Sequence, residues 1–446
     1  MPALNAKTKE DVIELCNQYK VKFIRLWFTD ILGQLKSFSI TMSELDAAFE
    51  DGIGFDGSSI EGYRDIEESD MIARPDPTTF QLLPWQSIED KRVARMVCDI
   101  TTPDGKPYEG DPRYILKRQL ERAKKMGYTF YMGPELEYFY FKDDKGTEIV
   151  EKAGYFDLEH LDITAEVRKE TVLALEGMGM TIECDHHEVA PSQHEIDIRY
   201  CEALQMADHV QTYKSVVKEI ARKHGLYATF LPKPIFKVNG SGMHTHQSFF
   251  EGDKNAFFSK DDPHHISVKG KQYIAGILRH AREFCAITNQ SVNSYKRLVP
   301  GYEAPVYVAW STANRSAMVR IPNFAPGKEK ATRMELRCPD PVANPYLAFA
   351  VMIASGLEGI EKGYKLGEPT NKNIFHLTDE QKKELDIPSL PGSLGEAIEL
   401  TAGSDVVKKA LGEHIFNRFI EIKRREWDEY RMWVSDYEIK KLLPRL

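Results

Sequence analysis

The most informative part of this sequence is a set of four short polar segments. They are Gly-Pro-Glu-Leu-Glu at 133–137, His-His-Glu-Val-Ala-Pro-Ser-Gln-His-Glu at 186–195, Asn-Gly-Ser-Gly-Met-His-Thr-His at 239–246 and Arg-Met-Glu-Leu-Arg at 333–337. Three of them repeat charged or imidazole residues at every second position, which in a strand places the side chains on one face. Two carboxylates on a half-buried face resist ionisation unless a cation lies between them. Such a face predicts a site for metal ions and phosphate.

Each segment taken alone also has an ordinary structural interpretation. Glu135 and Glu137 could be solvated acids, His244 and His246 satisfied histidines, and the 333–337 segment a salt-bridge ladder. Apolar neighbours of the two acids disfavour a solvated strand. The co-occurrence of carboxylates, imidazole and arginines favours a shared site, and this donor set suits Mg²⁺ or Mn²⁺ better than zinc or copper. The residues alone therefore indicate a two-metal phosphoryl-transfer or phosphohydrolase enzyme.

Several other classes of protein are disfavoured. Residues 52–57 match G-x-G-x-x-G, but a predicted helix precedes them and a loop follows, whereas a dinucleotide site needs a strand and then a helix. No G-x-x-x-x-G-K-[ST] motif is present, which excludes a P-loop NTPase. A net charge of −9 argues against a general nucleic-acid binder.

The cysteines and the apolar segments indicate the compartment. Six cysteines are scattered without a C-x-x-C pair, which predicts reduced thiols in a cytoplasmic protein. The N-terminal segment shows no signal-peptide pattern. The most apolar stretch, 346–357, is too short to span a bilayer and predicts a buried helix.

Composition along the chain predicts two domains of an α+β protein, 1–105 and 106–446, divided in the Pro- and Gly-rich stretch 101–113. Thr41 and Glu44 predict a capping box for a helix through Phe49. Asp111 and Pro112 predict the start of a helix that runs to about Met126. A strand at 128–141 carries the two acids, and helices are expected near 163–178, 202–224 and 270–289.

The same segments, together with several others in the same order, resemble the type I glutamine synthetases over essentially the whole chain. The additional segments are FDGSSIEG (55–62), NSYKRLVPGYEAP (293–305), NRSAMVRIP (314–322), RMELRCPDP (333–341) and ANPYLAFA (343–350). The resemblance implies a small N-terminal β-grasp domain and a large catalytic domain with a curved antiparallel sheet, shared with guanidino kinases.

The resemblance also implies a role for each site residue. One metal would be held by Glu137, Glu188 and Glu195, and the second by Glu135, His244 and Glu335. Glutamate would lie against Asn239 and Gly240, with Arg297 on its α-carboxylate and Arg337 near its side chain. ATP would contact Glu183, His246, Ser248, Lys330 and Arg333, and the transferred phosphoryl group would be stabilised by Arg315 and Arg320.

The implied reaction is ATP-dependent ligation of ammonia to the γ-carboxylate of glutamate through γ-glutamyl phosphate, a step of nitrogen assimilation. Asp56 matches the acid that binds and deprotonates ammonium, and Glu303 matches a flap carboxylate that shields the acyl phosphate from water. In the family the Asp56 loop reaches a neighbouring subunit, so a homo-oligomer of two stacked hexameric rings is expected. Glutamate, ammonium and ATP are the expected partners; no nucleic acid or membrane is.

Two departures from the family pattern bear on regulation. Phe375 stands where adenylylated relatives have a tyrosine, which predicts the unadenylylated alpha-type subgroup. In that subgroup an arginine is tied to feedback inhibition by glutamine. Here Asp65 occupies the position expected for that arginine, and Arg64 lies one place earlier, so altered sensitivity to glutamine is hypothesised. Three alternatives remain: a ligase that uses an amine or polyamine, a catalytically silent assembly, and a metal phosphohydrolase.

Overall fold

The structure is a computed structural model that describes residues 4–63, 69–88, 91–158, 160–314, 316–370 and 374–446. The helices are α1 Lys9–Gln18, α2 Leu45–Glu50, α3 Pro112–Lys125, α4 Ala165–Gly177, α5 Ala203–Lys223, α6 Val268–Thr288, α7 Ser294–Arg297, α8 Pro345–Glu361, α9 Asp379–Glu384, α10 Leu394–Ala402, α11 Asp405–Leu411 and α12 Glu413–Met432. The strands are β1 Val21–Thr29, β2 Leu35–Thr41, β3 Ile53–Asp56, β4 Asp70–Pro75, β5 Gln81–Ile88, β6 Lys91–Thr101, β7 Thr129–Phe141, β8 Ile182–His187, β9 Gln193–Ile198, β10 Cys201–Glu202, β11 Tyr227–Thr229, β12 Met243–Glu251, β13 Lys254–Asn255, β14 Tyr307–Ser311, β15 Ala317–Arg320 and β16 Met334–Leu336.

The N-terminal part forms a six-stranded sheet in the order β2-β1-β6-β4-β3, with β5 also pairing with β6. β1 and β6 are parallel and central, and the other pairs are antiparallel. α1 covers this sheet with Val12 and Cys16 and begins at a capping box formed by Thr8 and Asp11. This arrangement is the predicted β-grasp fold.

The predicted capping box at Thr41 is wrong. The hydroxyl of Thr41 bonds to that of Ser43 at 2.8 Å and makes no bond to the helix backbone. The first turn, Met42–Glu44, is a 3₁₀ turn, and α2 starts only at Leu45. The Thr41 hydroxyl therefore bonds to the Ser43 hydroxyl and not to the helix backbone N–H that the capping-box pattern predicts.

The C-terminal part is built on a curved ten-stranded sheet in the order β14-β15-β16-β12-β7-β9-β8, with three short strands pairing with β7 and β12. The main path is antiparallel except for β14 and β15, which are parallel. α8 packs against α6, and its residues from Pro345 to Ile360 are buried, which confirms the helix predicted from 346–357. Asp111 caps α3 and Pro112 occupies its first turn, as predicted.

A buried arginine joins the two parts. Arg113 is 3% exposed and binds Asp76, which follows β4, at 2.8 Å, Asp99 of β6 at 2.7 Å, and Asp208 of α5 at 2.9 Å. Removing one partner of such a buried network would leave an uncompensated charge. The orientation of the small domain against the large sheet is therefore specified by ion pairs as well as by apolar contact.

Two features bear on the compartment predicted from the sequence. All six cysteines are unpaired, and four of them are buried. Within the described ranges, no helix combines the length and apolar character that crossing a bilayer requires.

Candidate active site

Acidic side chains line one face of the large sheet because strand alternation repeats across neighbouring strands. On β7, Glu135 and Glu137 point to the same face. The register with β9 places Glu195 opposite Glu137 and Asp197 opposite Glu135. β8 continues the pattern with His186 opposite Glu195. The i, i+2 spacing seen in the sequence thus becomes a two-dimensional array of side chains.

The array continues on the other side of β7. His244 of β12 lies opposite Glu135, and His246 of the same strand lies opposite Glu335 of β16. Arg320 of β15 lies opposite Glu335 in turn. Six adjacent strands therefore contribute carboxylates, imidazoles and a guanidinium to one continuous surface.

At one end of the array is an acidic cluster whose carboxylates form no ion pair with a lysine or arginine among the residues that the structure describes. His186, Glu188 and Glu195 present ligand atoms within 4.8 Å of one another. Glu137 is buried beside them, and its carboxylate accepts hydrogen bonds from Gln193 Nε2 at 2.8 Å and Gly242 N at 3.1 Å. Burial, and then the charge of Glu188, raises the pKa of Glu137 to about 8.

The neighbouring Glu195 is in the same situation. Burial, followed by the charge of Glu137, raises its pKa well above the ordinary value. These carboxylates would ionise readily only with a cation among them. The oxygen donors of Glu137, Glu188 and Glu195 therefore fit a hard divalent ion.

The second cluster is organised around Glu135 and Glu335. Glu135 Oε1 lies 2.7 Å from His246 Nε2, and Glu135 Oε2 lies 3.4 Å from His244 Nδ1. Glu335 Oε1 lies 3.8 Å from the same nitrogen of His244. Burial and then Arg337 lower the pKa of His244 to about 4, so this imidazole is neutral at pH 7 and has a lone pair for a metal. Both histidines thus contact the carboxylate that they flank.

Two arginines neutralise the second cluster. Glu335 is 1% exposed and accepts hydrogen bonds from Arg320 Nη1 at 2.8 Å and from Arg337 Nη1. Burial opposes ionisation of Glu335, but the charge of Arg337 and the nearby histidines hold its pKa below the ordinary value. This end of the array therefore carries balanced charge, whereas the end around Glu137 does not.

A glycine strip forms the floor between the array and the loops. A Cβ at Gly240 would lie 2.2 Å from Pro232 O, and one at Gly242 would lie 2.6 Å from Arg297 Nη2, so neither position has room for a side chain. Arg297 is 3% exposed and donates to the carbonyl oxygens of Cys338 at 2.8 Å and Pro339 at 3.2 Å. Backbone and guanidinium groups are therefore available to a ligand at close range.

Most of these groups face a single cleft with a volume of about 570 Å³. A segment at 299–304, here called the flap, lies at its edge and contributes Tyr302 and Glu303 to the lining. Glu303 Oε2 accepts a hydrogen bond from Asn239 Nδ2 at 2.7 Å, which joins the flap to the glycine strip.

A smaller cleft adjoins the first and collects most of the residues expected to contact ATP. Its lining includes His246, Ser248, Lys330 and Arg333. Arg333 Nε donates to His246 Nδ1 at 3.0 Å within this lining, and His246 Nε2 contacts Glu135 of the larger cleft at 2.7 Å. Glu183 is exposed, pairs with Arg199 at 3.3 Å and is not part of either lining in the described part of the chain.

Two other expected residues stand apart from the array. Asp56 ends β3 in the small domain, is exposed, accepts bonds from Ser58 and is not among the described residues that line the cleft. Arg315 lies outside the described residues, as do Arg64 and Asp65.

Sequence reasoning missed Asp197, a further carboxylate of the array. It faces Glu135 on the adjacent strand and its Oδ2 accepts from Cys184 Sγ at 2.9 Å. Burial, with the charge of Glu135, raises its pKa. The signal was present, because Glu195 and Asp197 repeat the same i, i+2 spacing. Tyr155 and Phe156, whose rings stack at 4.1 Å, also line the cleft, and no pattern indicated them.

A buried group behind the array resembles a metal site but is satisfied by hydrogen bonds. His187 Nε2 contacts Glu151 Oε1 at 2.8 Å. His194 Nδ1 accepts from Arg168 at 3.0 Å, and its Nε2 contacts Thr164 Oγ1 at 3.1 Å. Both ring nitrogens of His194 already have hydrogen-bond partners, and a guanidinium group lies beside the ring. This cluster therefore stabilises the 186–195 segment and is a poor site for a metal ion.

Comparison with known proteins agrees with this architecture. A family model described as "Glutamine synthetase, beta-Grasp domain" matches residues 20–103, and one described as "Glutamine synthetase, catalytic domain" matches residues 109–442. The chain is 53% identical to a glutamine synthetase of Methanosarcina mazei over 98% of each chain. It is 51% identical to one of Thermotoga maritima over 98% of this chain and 99% of the relative.

Solved structures show the same fold. A Plasmodium falciparum glutamine synthetase superimposes with a TM-score of 0.89 at 26% identity, covering 99% of this chain and 100% of the other. A GmaS/ADP complex gives a TM-score of 0.88 at 30% identity, with 97% and 99% coverage. The catalytic-domain model matches most of the chain, and the two relatives are 53% and 51% identical to it over nearly its whole length. This chain therefore belongs to the type I glutamine synthetase family.

Proposed function

We propose that this chain synthesises glutamine from glutamate and ammonia with hydrolysis of ATP, through γ-glutamyl phosphate. The observation that carries the proposal is the array on the large sheet, where carboxylates, imidazoles and arginines share one cleft with a glycine strip. ATP must phosphorylate the carboxylate because a free carboxylate is a poor electrophile. Ammonia then displaces the phosphate.

Two divalent ions, Mg²⁺ or Mn²⁺, are part of the proposal. Glu137, Glu188 and Glu195 would hold one, and Glu135, His244 and Glu335 the other. When bound, such ions would neutralise negative charge on the phosphate groups during phosphoryl transfer. The raised pKa values of Glu137 and Glu195 support a cation at the first position. At the second, the neutral imidazole of His244 is a suitable ligand.

The remaining residues bind and orient the substrates. Glutamate would lie along Asn239 and Gly240 with its α-carboxylate near Arg297, and Arg337 would face its side-chain carboxylate. The smaller cleft would hold the nucleotide, and the ADP of the GmaS/ADP complex is consistent with a nucleotide site in this fold. Arg315 and Arg320 would stabilise the phosphoryl group in flight, and Glu183 would contact ATP.

The ammonium site would be completed by a neighbouring subunit. Asp56 is exposed on the small domain and lies outside the described lining of its own cleft, which supports a contribution to the cleft of another copy. The assembly would be two stacked hexameric rings in the cytoplasm, and the free state of all six cysteines is consistent with that compartment.

Two finer assignments belong to the same proposal. The domain boundary would lie between residues 105 and 106, and Phe375 would place the chain in the unadenylylated alpha-type subgroup. Altered feedback by glutamine, inferred from Arg64 and Asp65, is tested by inhibition of the native enzyme. Normal inhibition that is lost in Arg64→Ala would show that Arg64 takes over the role.

One assay tests the main proposal. ATP turnover is followed with glutamate, with and without ammonium, while glutamine is measured. Glutamine formation that requires ammonium is the expected result. Phosphate release independent of ammonium would indicate a phosphohydrolase, a preference for amines would indicate the related ligase, and no turnover would indicate a silent assembly.

A further inference from the structure

The flap is held by two contacts at consecutive residues. Glu303 accepts from Asn239 at 2.7 Å, and the ring of Tyr302 lies under the ammonium of Lys233, with Nζ 3.9 Å from the ring centroid. The flap backbone is strained at Glu303, which has φ 61° although it is not glycine, and it passes through Gly301 at φ 95°, a left-handed value that glycine tolerates. A left-handed φ at glutamate costs free energy and persists only where side-chain contacts oppose it.

Lys233 can hold the strained flap in place because its own backbone position is fixed. Its backbone N donates to Asn293 Oδ1 at 2.7 Å, and its backbone O accepts from Asn293 Nδ2 at 3.1 Å. Its Nζ also donates to the carbonyl oxygen of Val238, the residue before Asn239. The ammonium group of Lys233 therefore contacts the flap through Tyr302 and also contacts Val238, in the segment that leads into Asn239 and the glycine strip.

We propose that Lys233 is a positioning residue that keeps the flap closed over the cleft by binding Tyr302 and the Val238 carbonyl together. The inference rests on the proposed function, in which Glu303 shields γ-glutamyl phosphate. With the flap open, water attacks the acyl carbon, the bond from that carbon to the phosphate oxygen breaks, and glutamate and inorganic phosphate result. The net effect is ATP hydrolysis without glutamine.

The size of the effect follows from the contact. A cation over an aromatic face at this distance favours the closed state by roughly 2- to 30-fold, depending on how far water is excluded. Loss of the ammonium should therefore raise phosphate release per glutamine formed by a factor in that range. Binding of ATP should change little, because the described lining of the smaller cleft does not include Lys233.

Substitutions at two positions separate the flap contact from a general structural role. Lys233→Met keeps the aliphatic stem that packs near Gly240 and removes the ammonium, whereas Lys233→Arg keeps a cation above the ring. Tyr302→Leu removes the aromatic face, and Tyr302→Phe keeps it. Lys237→Met is the matched control, because Lys237 lies on the same loop, has its Nζ 5.4 Å from the centroid of the exposed Phe236 ring, and is not among the described residues that line the cleft.

The primary measurement is phosphate and glutamine formed by the intact enzyme, at saturating ammonium and without it. Lys233→Met and Tyr302→Leu should both raise phosphate per glutamine, and the double variant should go no further than either single one. Lys233→Arg, Tyr302→Phe and Lys237→Met should match the native ratio. An unchanged ratio in Lys233→Met or in Tyr302→Leu would overturn the inference, and so would equal falls in both products.

Hydrogen exchange of the flap amides provides a second, activity-independent measurement. Exchange at 301–304 should be faster in Lys233→Met than in the native protein or in Lys237→Met, and equal rates would overturn the inference. If Lys233→Met fails to fold, Tyr302→Leu decides by both measurements. If the native enzyme forms no glutamine, the proposed function fails, and hydrogen exchange still decides whether Lys233 holds the flap.

Discussion

The metal-free protein should lose stability as the pH rises, and Glu137→Gln should remove a large part of that loss. Burial, and then the charge of Glu188, raises the pKa of Glu137 from 4.5 in the unfolded chain to about 8. A carboxyl with a raised pKa in the folded state costs nothing below the unfolded pKa. Its cost grows as the pH rises above 4.5 and levels off above about 8.

The expected magnitude is several kcal/mol. At about 1.4 kcal/mol per pKa unit the full cost is roughly 5 kcal/mol, of which roughly 2 to 3 kcal/mol develops between pH 5 and pH 7. Glutamine is nearly isosteric, and its carbonyl oxygen can still accept from Gln193 and Gly242. Since Glu137 also raises the pKa of Glu195, the substitution relieves part of that cost too.

The assay is urea unfolding in the presence of a chelator at pH 5, 6, 7 and 8, at one protein concentration. The variant should be no more than slightly different from the native protein at pH 5 and clearly more stable at pH 8. Glu183→Gln is the matched control, because Glu183 is exposed, and it should give a difference that does not change with pH. A constant difference for Glu137→Gln would refute the reasoning. Added Mn²⁺ should stabilise the native protein more than the variant.

Three further predictions concern activity and assembly. Glu335→Ala should lower phosphoryl transfer at least roughly 100-fold and remove one Mn²⁺ per subunit, measured by turnover and by Mn²⁺ titration; native turnover would contradict the assignment. Asp197→Asn should weaken Mn²⁺ binding about 10-fold, because its carboxylate faces Glu135, and unchanged affinity would exclude it from the site. Inactive Asp56→Ala and Glu335→Ala proteins, dissociated and reassembled together, should regain activity if each site is shared between subunits. Continued inactivity of correctly assembled mixtures would place Asp56 in its own cleft.

The sheet face could be predicted because a strand converts sequence spacing into side-chain direction without further information. Glu135 and Glu137, and His244 and His246, therefore lie on one surface as the spacing required. Registry between strands is not encoded in that spacing. Nothing in the local sequence indicates that His246 lies opposite Glu335 or that Arg320 pairs with it.

Local rules failed where a competing partner was nearer. Thr41 bonds to the Ser43 hydroxyl instead of capping α2, and the pattern could not rank the two. Asp197 obeys the same i, i+2 rule as its neighbours, but the pairing of β9 with β7 that places it opposite Glu135 is seen only in the folded structure. The contact between Lys233 and Tyr302 joins residues far apart in the chain, and only the folded structure shows it.

Because charge is distributed unequally along the array, a metal ion that binds at one end should displace a different group from an ion that binds at the other. Burial raises the pKa of Glu137 to about 8, so this carboxyl is largely protonated near neutral pH, and an ion that binds there must release its proton. Glu335 is already ionised and accepts hydrogen bonds from Arg320 and Arg337, so an ion at that end would compete with guanidinium groups and would not displace a proton from Glu335. Calorimetry in buffers of different ionisation enthalpy would separate the two events.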